Sequence, residues 1–319
     1  MRVVVIGSSG HIGSYLVPAL VDAGHDVVAV SRGQSTPYRR ASVWQRVEQV
    51  VADRHAEDAA GTFGKRIADL NADVVIDLIC FDPSAARQLA EALRDRIQHL
   101  LHCGTIWVHG PSVEVPTTES VPRRPFGDYG VKKAEIEAYL LSEARLGRIP
   151  ATVLHPGHIV GPGWRPINPA GHLDLAVFGD LAAGREVLLP NFGLETLHHV
   201  HADDVARSFV AALEHRNASV GEAFHVVSPA AVTLRGYAEA VAGWYGQDVN
   251  LAFAPYDEWR TTVAADAAQA TWDHIAHSPN CSVAKAAALL GWRPRHTSLE
   301  AVYEALCWLG ARGEVPSPQ

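Results

Sequence analysis

The sequence predicts a doubly wound α/β fold: a parallel sheet covered by helices on both faces, with a smaller, mostly helical C-terminal substrate region. Three observations carry this. Runs of β-branched residues alternate with segments of helical period; a Gly-x-x-Gly-x-x-Gly turn joins the first run to the first helical segment; and beyond His155 a cluster of prolines and glycines breaks the alternation. The 319 residues, 48% hydrophobic and 19% charged, suffice for a large core. The net charge of -8 gives no whole-chain footprint for nucleic acid or an anionic membrane. The apolar runs are too short to span a bilayer and Met1 leads directly into a strand, so a cytoplasmic location is expected. Cys80, Cys103, Cys281 and Cys307 form no CxxC pair, which argues against a disulfide framework and a zinc site and for buried thiols.

Residues 3–6 form a continuous β-branched run, the pattern of a strand buried on both faces. Residues 12–23 carry apolar side chains at helical spacing, Gly24 closes them, and residues 26–30 make the second strand of a βαβ unit. Further strands are predicted at 47–51, 74–79, 100–103, 152–155 and 224–227, with a helix at 84–96. Pro156, Pro162, Pro166 and Pro169 mark a loop where a substrate would be held. From 233 to 309 the pattern is mostly helical, broken at residues 291–294. The division read from this is a nucleotide-binding domain at 1–160, to which a strand at 223–228 returns, with 161–222 and 229–319 forming the substrate-binding region.

Gly7, Ser9, Gly10, His11, Ile12 and Gly13 lie in the turn between strand and helix. Glycine there permits a tight turn and close approach of backbone amides to a pyrophosphate, and the helix N-terminus adds unpaired N–H groups. The second strand ends in Ser31-Arg32, where an acid would bond a ribose 2′-OH. Arg32, with Arg39 or Arg40 as helpers, suits a 2′-phosphate instead, which favours NADP over NAD. Asp53, after the third strand, is a candidate for the adenine amino group. Tyr129 and Lys133 stand four apart at the start of an amphipathic helix, with Asp128 read as its N-cap. An ammonium beside the phenol would favour its ionised form and so make it a usable acid–base group.

With these motifs on the page, the chain resembles the extended short-chain dehydrogenase/reductases, the NAD-dependent epimerase/dehydratase family with its Rossmann-type sheet. Residues 103–110 are similar to the family's Ser-Ser-x-x-Val-Tyr-Gly segment, and Thr105 falls at the catalytic Ser/Thr. Glu119 and Pro125 match the lead-in to the tyrosine, residues 155–163 resemble the Arg-Pro-x-x-x-Tyr-Gly-Pro-Gly loop, residues 200–206 the V-H-V-x-D-V-A segment, and residues 290–294 the LGWxP segment. The resemblance implies hydride transfer between a nicotinamide and a carbinol or carbonyl carbon. Tyr129 would be the proton donor or acceptor, Thr105 its hydrogen-bond partner, and Lys133 a ribose contact. It also implies that Leu78 and Cys80, then Pro156 and His158, lie beside the cofactor, and that Thr105, Trp107, His158 and Trp164 face the substrate. A homodimer through the helices after Ser84 and Tyr129 is implied by the same analogy.

The departures bear on the substrate. Ile106 and Trp107 stand where 4,6-dehydratases carry an Asp-Glu pair, which disfavours dehydration. Leu197-His198-His199 stands where many sugar-nucleotide enzymes carry an arginine for the diphosphate, although Arg165, Arg185 or His198 could hold a phosphate from another position. The cluster of His198, His199 and His201 is not read as a metal site, because alternation on a strand splits it between two faces and no acid or cysteine at ligand spacing completes it. The expected function is an NAD(P)-dependent epimerase acting on a sugar, nucleotide sugar or sugar-like small molecule, with neither nucleic acid nor membrane as partner. An NADPH-dependent carbonyl reductase is the first rival, and a non-catalytic dinucleotide-binding module the second.

Overall fold

The computed structural model describes residues 1–35, 37–39 and 41–319. Seven parallel strands make the central sheet: β1 (Arg2–Ile6), β2 (Asp26–Ser31), β3 (Glu48–Val51), β4 (Val74–Asp77), β5 (His99–Cys103), β6 (Ala151–Pro156) and β7 (Ala223–Val226). Their order is β7-β6-β5-β4-β1-β2-β3, so the winding direction reverses beside β1. Central strands β1 and β4 have no polar face because both faces are covered. Val3 and Val5 pack with α1 (His11–Asp22), while Val4 and Ile6 pack with α2 (Pro83–Leu93) and α3 (Gly127–Arg145). Burying four such side chains contributes roughly 1.5–3 kcal/mol each relative to exposure.

The structure adjusts several expected boundaries. Strand β4 stops at Asp77 rather than residue 79, because the Asp77 carboxylate takes the Ile79 amide at 3.2 Å and turns the chain out of the sheet. Helix α2 starts at Pro83, capped by Asp82 on the Ser84 amide (2.8 Å), and ends at Leu93 rather than 96, where Asp95 turns to a φ of 60°. Asp128 is not the N-cap of α3: that position is Phe126, without a side-chain cap, and Asp128 sits in the first turn paired with Lys132 at 3.0 Å.

The chain returns to the core around the sheet more often than through β7 alone. Helix α4 (Ala202–Glu214) packs on α1, and Ala286, Leu290 and Trp292 join the same cluster. Asp204 is the tie, because its carboxylate takes the amides of Arg295 (2.9 Å) and His296 (3.1 Å) and its carbonyl takes the Trp292 indole (3.1 Å). A separate core of Phe178, Tyr237, Trp259 and Leu306 organises the C-terminal part, which includes α5 (Ala265–His277) and α6 (Ser298–Gly310). At the outer edge of β7 the backbone is occupied by side chains: Glu119 accepts the His225 amide (2.9 Å), and Lys285 donates to the Ala223 carbonyl (2.8 Å).

Candidate active site

The phosphate turn is built on glycines for reasons the geometry makes explicit. Gly7 has a φ of 87°, a conformation costly for any residue with a Cβ. A Cβ on Gly13 would lie 2.2 Å from the Ser8 carbonyl oxygen, so this glycine closes against the turn itself rather than against the sheet. Gly10 is the N-cap of α1 and provides no side-chain acceptor, which leaves the amides of His11, Ile12 and Gly13 without partners among the described residues and pointing out of the helix start. Such orphaned donors on a positive helix end fit a pyrophosphate. Gly7, Ser9, Gly10, Ser31, Arg32 and Asp53 all border one cleft of about 430 Å³.

That cleft also holds residues the sequence reading missed. Ile79 and Phe81 line it where the chain leaves β4, and Arg54 reaches into it with its guanidinium held by Asp77 (2.5 Å) and Asp58 (3.0 Å). Two carboxylates neutralise Arg54, so the free cation at the rim is Arg32, which is exposed and unbonded among the described residues. Asp53 caps the helix at Arg54–Ala59 through the Ala56 amide (3.2 Å) while bordering the cleft. Arg39, expected beside Arg32, is drawn away, its guanidinium lying 4.3 Å from the Tyr15 ring centre. Arg40 lies outside the described residues. Leu78 is buried against the turn at Gly7, and Cys80 is buried with its thiol pushed up to about 12 by burial.

Thr105, Tyr129 and Lys133 come together at the carboxyl ends of β4 and β5. Lys133 is 1% exposed and donates to the carbonyls of Cys80 (2.8 Å) and Cys103 (2.7 Å), which fixes its ammonium beneath Phe81 and Tyr129. An ammonium has three N–H donors, so one is left for another acceptor. Burial lowers the Lys133 pKa. Tyr129 is 41% exposed; burial pushes its phenol up to about 12, and the neighbouring Thr105 hydroxyl pulls it down. The Thr105 hydroxyl oxygen also accepts the Trp107 amide (3.3 Å).

A brace behind this group was invisible in the sequence. The Thr105 amide donates to His155 Nδ1 at 2.9 Å, His155 Nε2 faces the Glu137 carboxylate at 3.1 Å, and Arg123 grips that carboxylate at 2.5 and 3.0 Å. Because Nδ1 accepts, the proton of the neutral ring sits on Nε2, toward Glu137. Glu137 lies on α3 one turn beyond Lys133, so His155 ties the strand end carrying Thr105 to the helix carrying Tyr129. Gly104 is required here, since a Cβ would meet His155 Nδ1 at 2.3 Å.

Of the expected substrate residues, Trp107 lies edge-on to Tyr129 (centroids 5.9 Å) and His158 lies 6.2 Å from Trp107. Pro156, at the end of β6, leads into His158. Trp164 is not brought to this group: it stacks on His11 at 5.2 Å, where the Tyr38 hydroxyl also bonds the His11 ring. The three clustered histidines are all buried, and the spacing argument about them needs correction, because the fold does supply an acid. His201, His296 and Glu304 bring one ligand atom each within 4.8 Å of one another. His201 Nδ1, however, accepts the Asp203 amide (3.0 Å), which puts its proton on Nε2 facing Glu304 (3.3 Å) and leaves no lone pair there for an ion.

A Gly-rich turn at an uncapped helix start and a Tyr-Lys-Thr group at the strand ends of a doubly wound sheet together form the candidate site. The sequence profile of the NAD dependent epimerase/dehydratase family matches residues 3–226, and this chain belongs to that family and is one of its enzymes. It is 30% identical over 275 residues to a UDP-glucose 4-epimerase of Mycolicibacterium smegmatis, covering 80% of this chain and 86% of that protein. It is 27% identical over 281 residues to a 2'-dehydrokanamycin reductase of Streptomyces kanamyceticus, covering 86% and 76%. The crystal structure of a Thermotoga maritima UDP-glucose 4-epimerase with UDP-glucose superposes with a TM-score of 0.75 at 20% identity, over 98% and 100% of the two chains. No helix among the described residues is long and apolar enough to cross a membrane.

Proposed function

We propose that the enzyme epimerises a carbinol centre of a sugar or sugar-like substrate, using a dinucleotide held at Gly7–Gly13 and a proton carried by Tyr129. The observation that carries this reading is the buried Lys133 ammonium, fixed by two carbonyls under the Tyr129 ring. When bound, a nicotinamide accepts and returns hydride. Tyr129 takes the hydroxyl proton as the carbon is oxidised and restores it on the way back, and Thr105 donates to the same oxygen and holds it in place. Lys133 lowers the cost of phenolate and has a donor to spare for a ribose hydroxyl. Arg32, Ser31 and Ser35 border the end of the cleft where a 2′-phosphate would lie, so NADP is the preferred dinucleotide in this reading. Residues 1–160 with 223–228 bind it, and the remainder shapes the substrate side.

The reductase reading is favoured by one observation, the similarity to a 2'-dehydrokanamycin reductase. Denaturing the purified protein and identifying the nucleotide released separates the two. An epimerase regenerates its cofactor within each cycle and should carry near-stoichiometric dinucleotide through purification. Protein that emerges empty and consumes reduced cofactor one-for-one with substrate would overturn epimerisation in favour of reduction.

A further inference from the structure

One short segment is shared by the cleft, the phosphate turn and the buried lysine. Residues 78–81 run from β4 to the start of α2 outside any helix or strand. Ile79 and Phe81 line the cleft, and a Cβ on Gly7 would meet the Ile79 side chain at 2.7 Å, so the segment also backs the phosphate turn. The Cys80 carbonyl takes the Lys133 ammonium at 2.8 Å, and the Phe81 ring centre lies 4.7 Å from it. One of the two carbonyls that seat Lys133 therefore belongs to irregular backbone, whose position must be fixed by something other than a sheet ladder.

An aspartate fixes each end of this segment. Asp82 caps α2 on the Ser84 amide. Asp77 is 2% exposed, and its Oδ1 accepts both the Ile79 amide (3.2 Å) and Arg54 Nη1 (2.5 Å). Arg54 is itself buried and held on its other side by Asp58 (3.0 Å). A buried guanidinium–carboxylate pair adds little net stability after desolvation, yet it resists separation, because either charge left alone in the interior is costly. The pair thus holds the turn at Ile79 in one arrangement. A continuous series of contacts results: Asp58 to Arg54, Arg54 to Asp77, Asp77 through the turn to the Cys80 carbonyl, and that carbonyl to Lys133. Burial disfavours the ammonium, Asp77 favours it and Arg54 opposes it, so the pair seats Lys133 without adding a net charge beside it.

We propose that Asp77 and Arg54 are positioning residues for Lys133: by locking the turn after β4 they set the Cys80 carbonyl, and through it the direction of the ammonium. This rests on the functional reading above, in which the spare Lys133 donor meets the nicotinamide ribose.

The test is calorimetric titration of the full chain with NADP, NAD and ADP, the last keeping the adenosine diphosphate and lacking the second ribose. Lys133→Met should weaken the tighter-binding dinucleotide about tenfold and leave ADP unchanged. Asp77→Ala should weaken that dinucleotide about fivefold relative to ADP, and add no further loss when combined with Lys133→Met, because both remove the same contact. Arg54→Met/Asp77→Ala strands no charge in the interior and should show the same excess loss of dinucleotide over ADP, even if Asp77→Ala alone fails to fold. Asp77→Asn keeps an oxygen for both donors and should bind the dinucleotide within about twofold of the wild type. Full dinucleotide affinity in the Asp77→Ala variants beside a weakened Lys133→Met would overturn the positioning role and leave the functional reading standing. Equal losses for ADP and dinucleotide, losses that add to that of Lys133→Met, or no recovery by Asp77→Asn would do the same. Full dinucleotide affinity in Lys133→Met would remove the ribose contact from that reading, and this role with it.

Discussion

Lowering the pH from about 7 to about 5.5 should destabilise this protein strongly, at an acidity where carboxylates are still ionised. Burial holds His11, His99, His109 and His199 near 3 and His198 and His274 near 4. In the unfolded chain each returns to ~6.5. These folded values are depressed, so between the two the unfolded state binds more protons, and stability falls as pH falls. The contribution is intact above ~6.5 and is lost progressively toward ~4. From about pH 7 to about pH 5.5 each site loses roughly 1.2 kcal/mol, and the six together about 7 kcal/mol, against a whole-protein stability of ~5–15 kcal/mol. Guanidinium unfolding followed by far-UV circular dichroism at several pH values across that interval gives the free energy at each, and its slope counts the protons taken up on unfolding. A stability that stays level across the interval, or a slope below about one proton, would refute the burial of these rings in neutral form.

Tyr129→Phe should leave the fold and cofactor affinity unchanged while turnover drops by ~10²–10⁴-fold, and Lys133→Met should cut turnover and weaken the cofactor as well; paired kinetic and binding titrations separate them. Arg32→Ala should lower affinity for NADP roughly tenfold and leave NAD unchanged, read by nucleotide fluorescence, and a wild type that prefers NAD contradicts the reading of this strand end. His155→Ala removes the acceptor that holds the Thr105 amide, so kcat should fall about tenfold with cofactor affinity intact. His155→Asn, which can still accept, should recover part of that loss, and equal kcat in all three proteins would show that the brace is inert.

The sheet was legible because its central strands β1, β2 and β4 are dense in valine and isoleucine and apolar runs recur between helical segments, and the turn at Gly7–Gly13 because its glycines recur at set intervals. Helix periodicity put Tyr129 and Lys133 on one face, and their place downstream of the Gly-rich turn singled the pair out. What escaped depends on side chains far apart in the chain. The carbonyls that hold Lys133 belong to residues 53 and 30 positions away. His155 meets Thr105 across 50 residues, and the acid beside His201 lies on a helix a hundred residues on, where no local spacing could reveal it. Arg39 shows the converse, since a cation adjacent in sequence to the phosphate end is spent on an aromatic ring instead. Asp128 was a good capping residue at a helix start, yet its tie to Lys132 and the earlier beginning at Gly127 displaced it.

The side chains that occupy the outer backbone of β7 bear on how this molecule behaves when crowded. A free strand edge offers its amides and carbonyls to any other extended segment, and such strand addition is a common route to aggregates. Here Glu119 takes the His225 amide from a loop more than a hundred residues earlier, and Lys285 takes the Ala223 carbonyl from the helical segment that follows. The border of the sheet is thus closed by two parts of the same chain, and a stray strand would have to displace a carboxylate and an ammonium before pairing. Until residue 285 has been synthesised that border lacks its ammonium, and only Glu119 covers it.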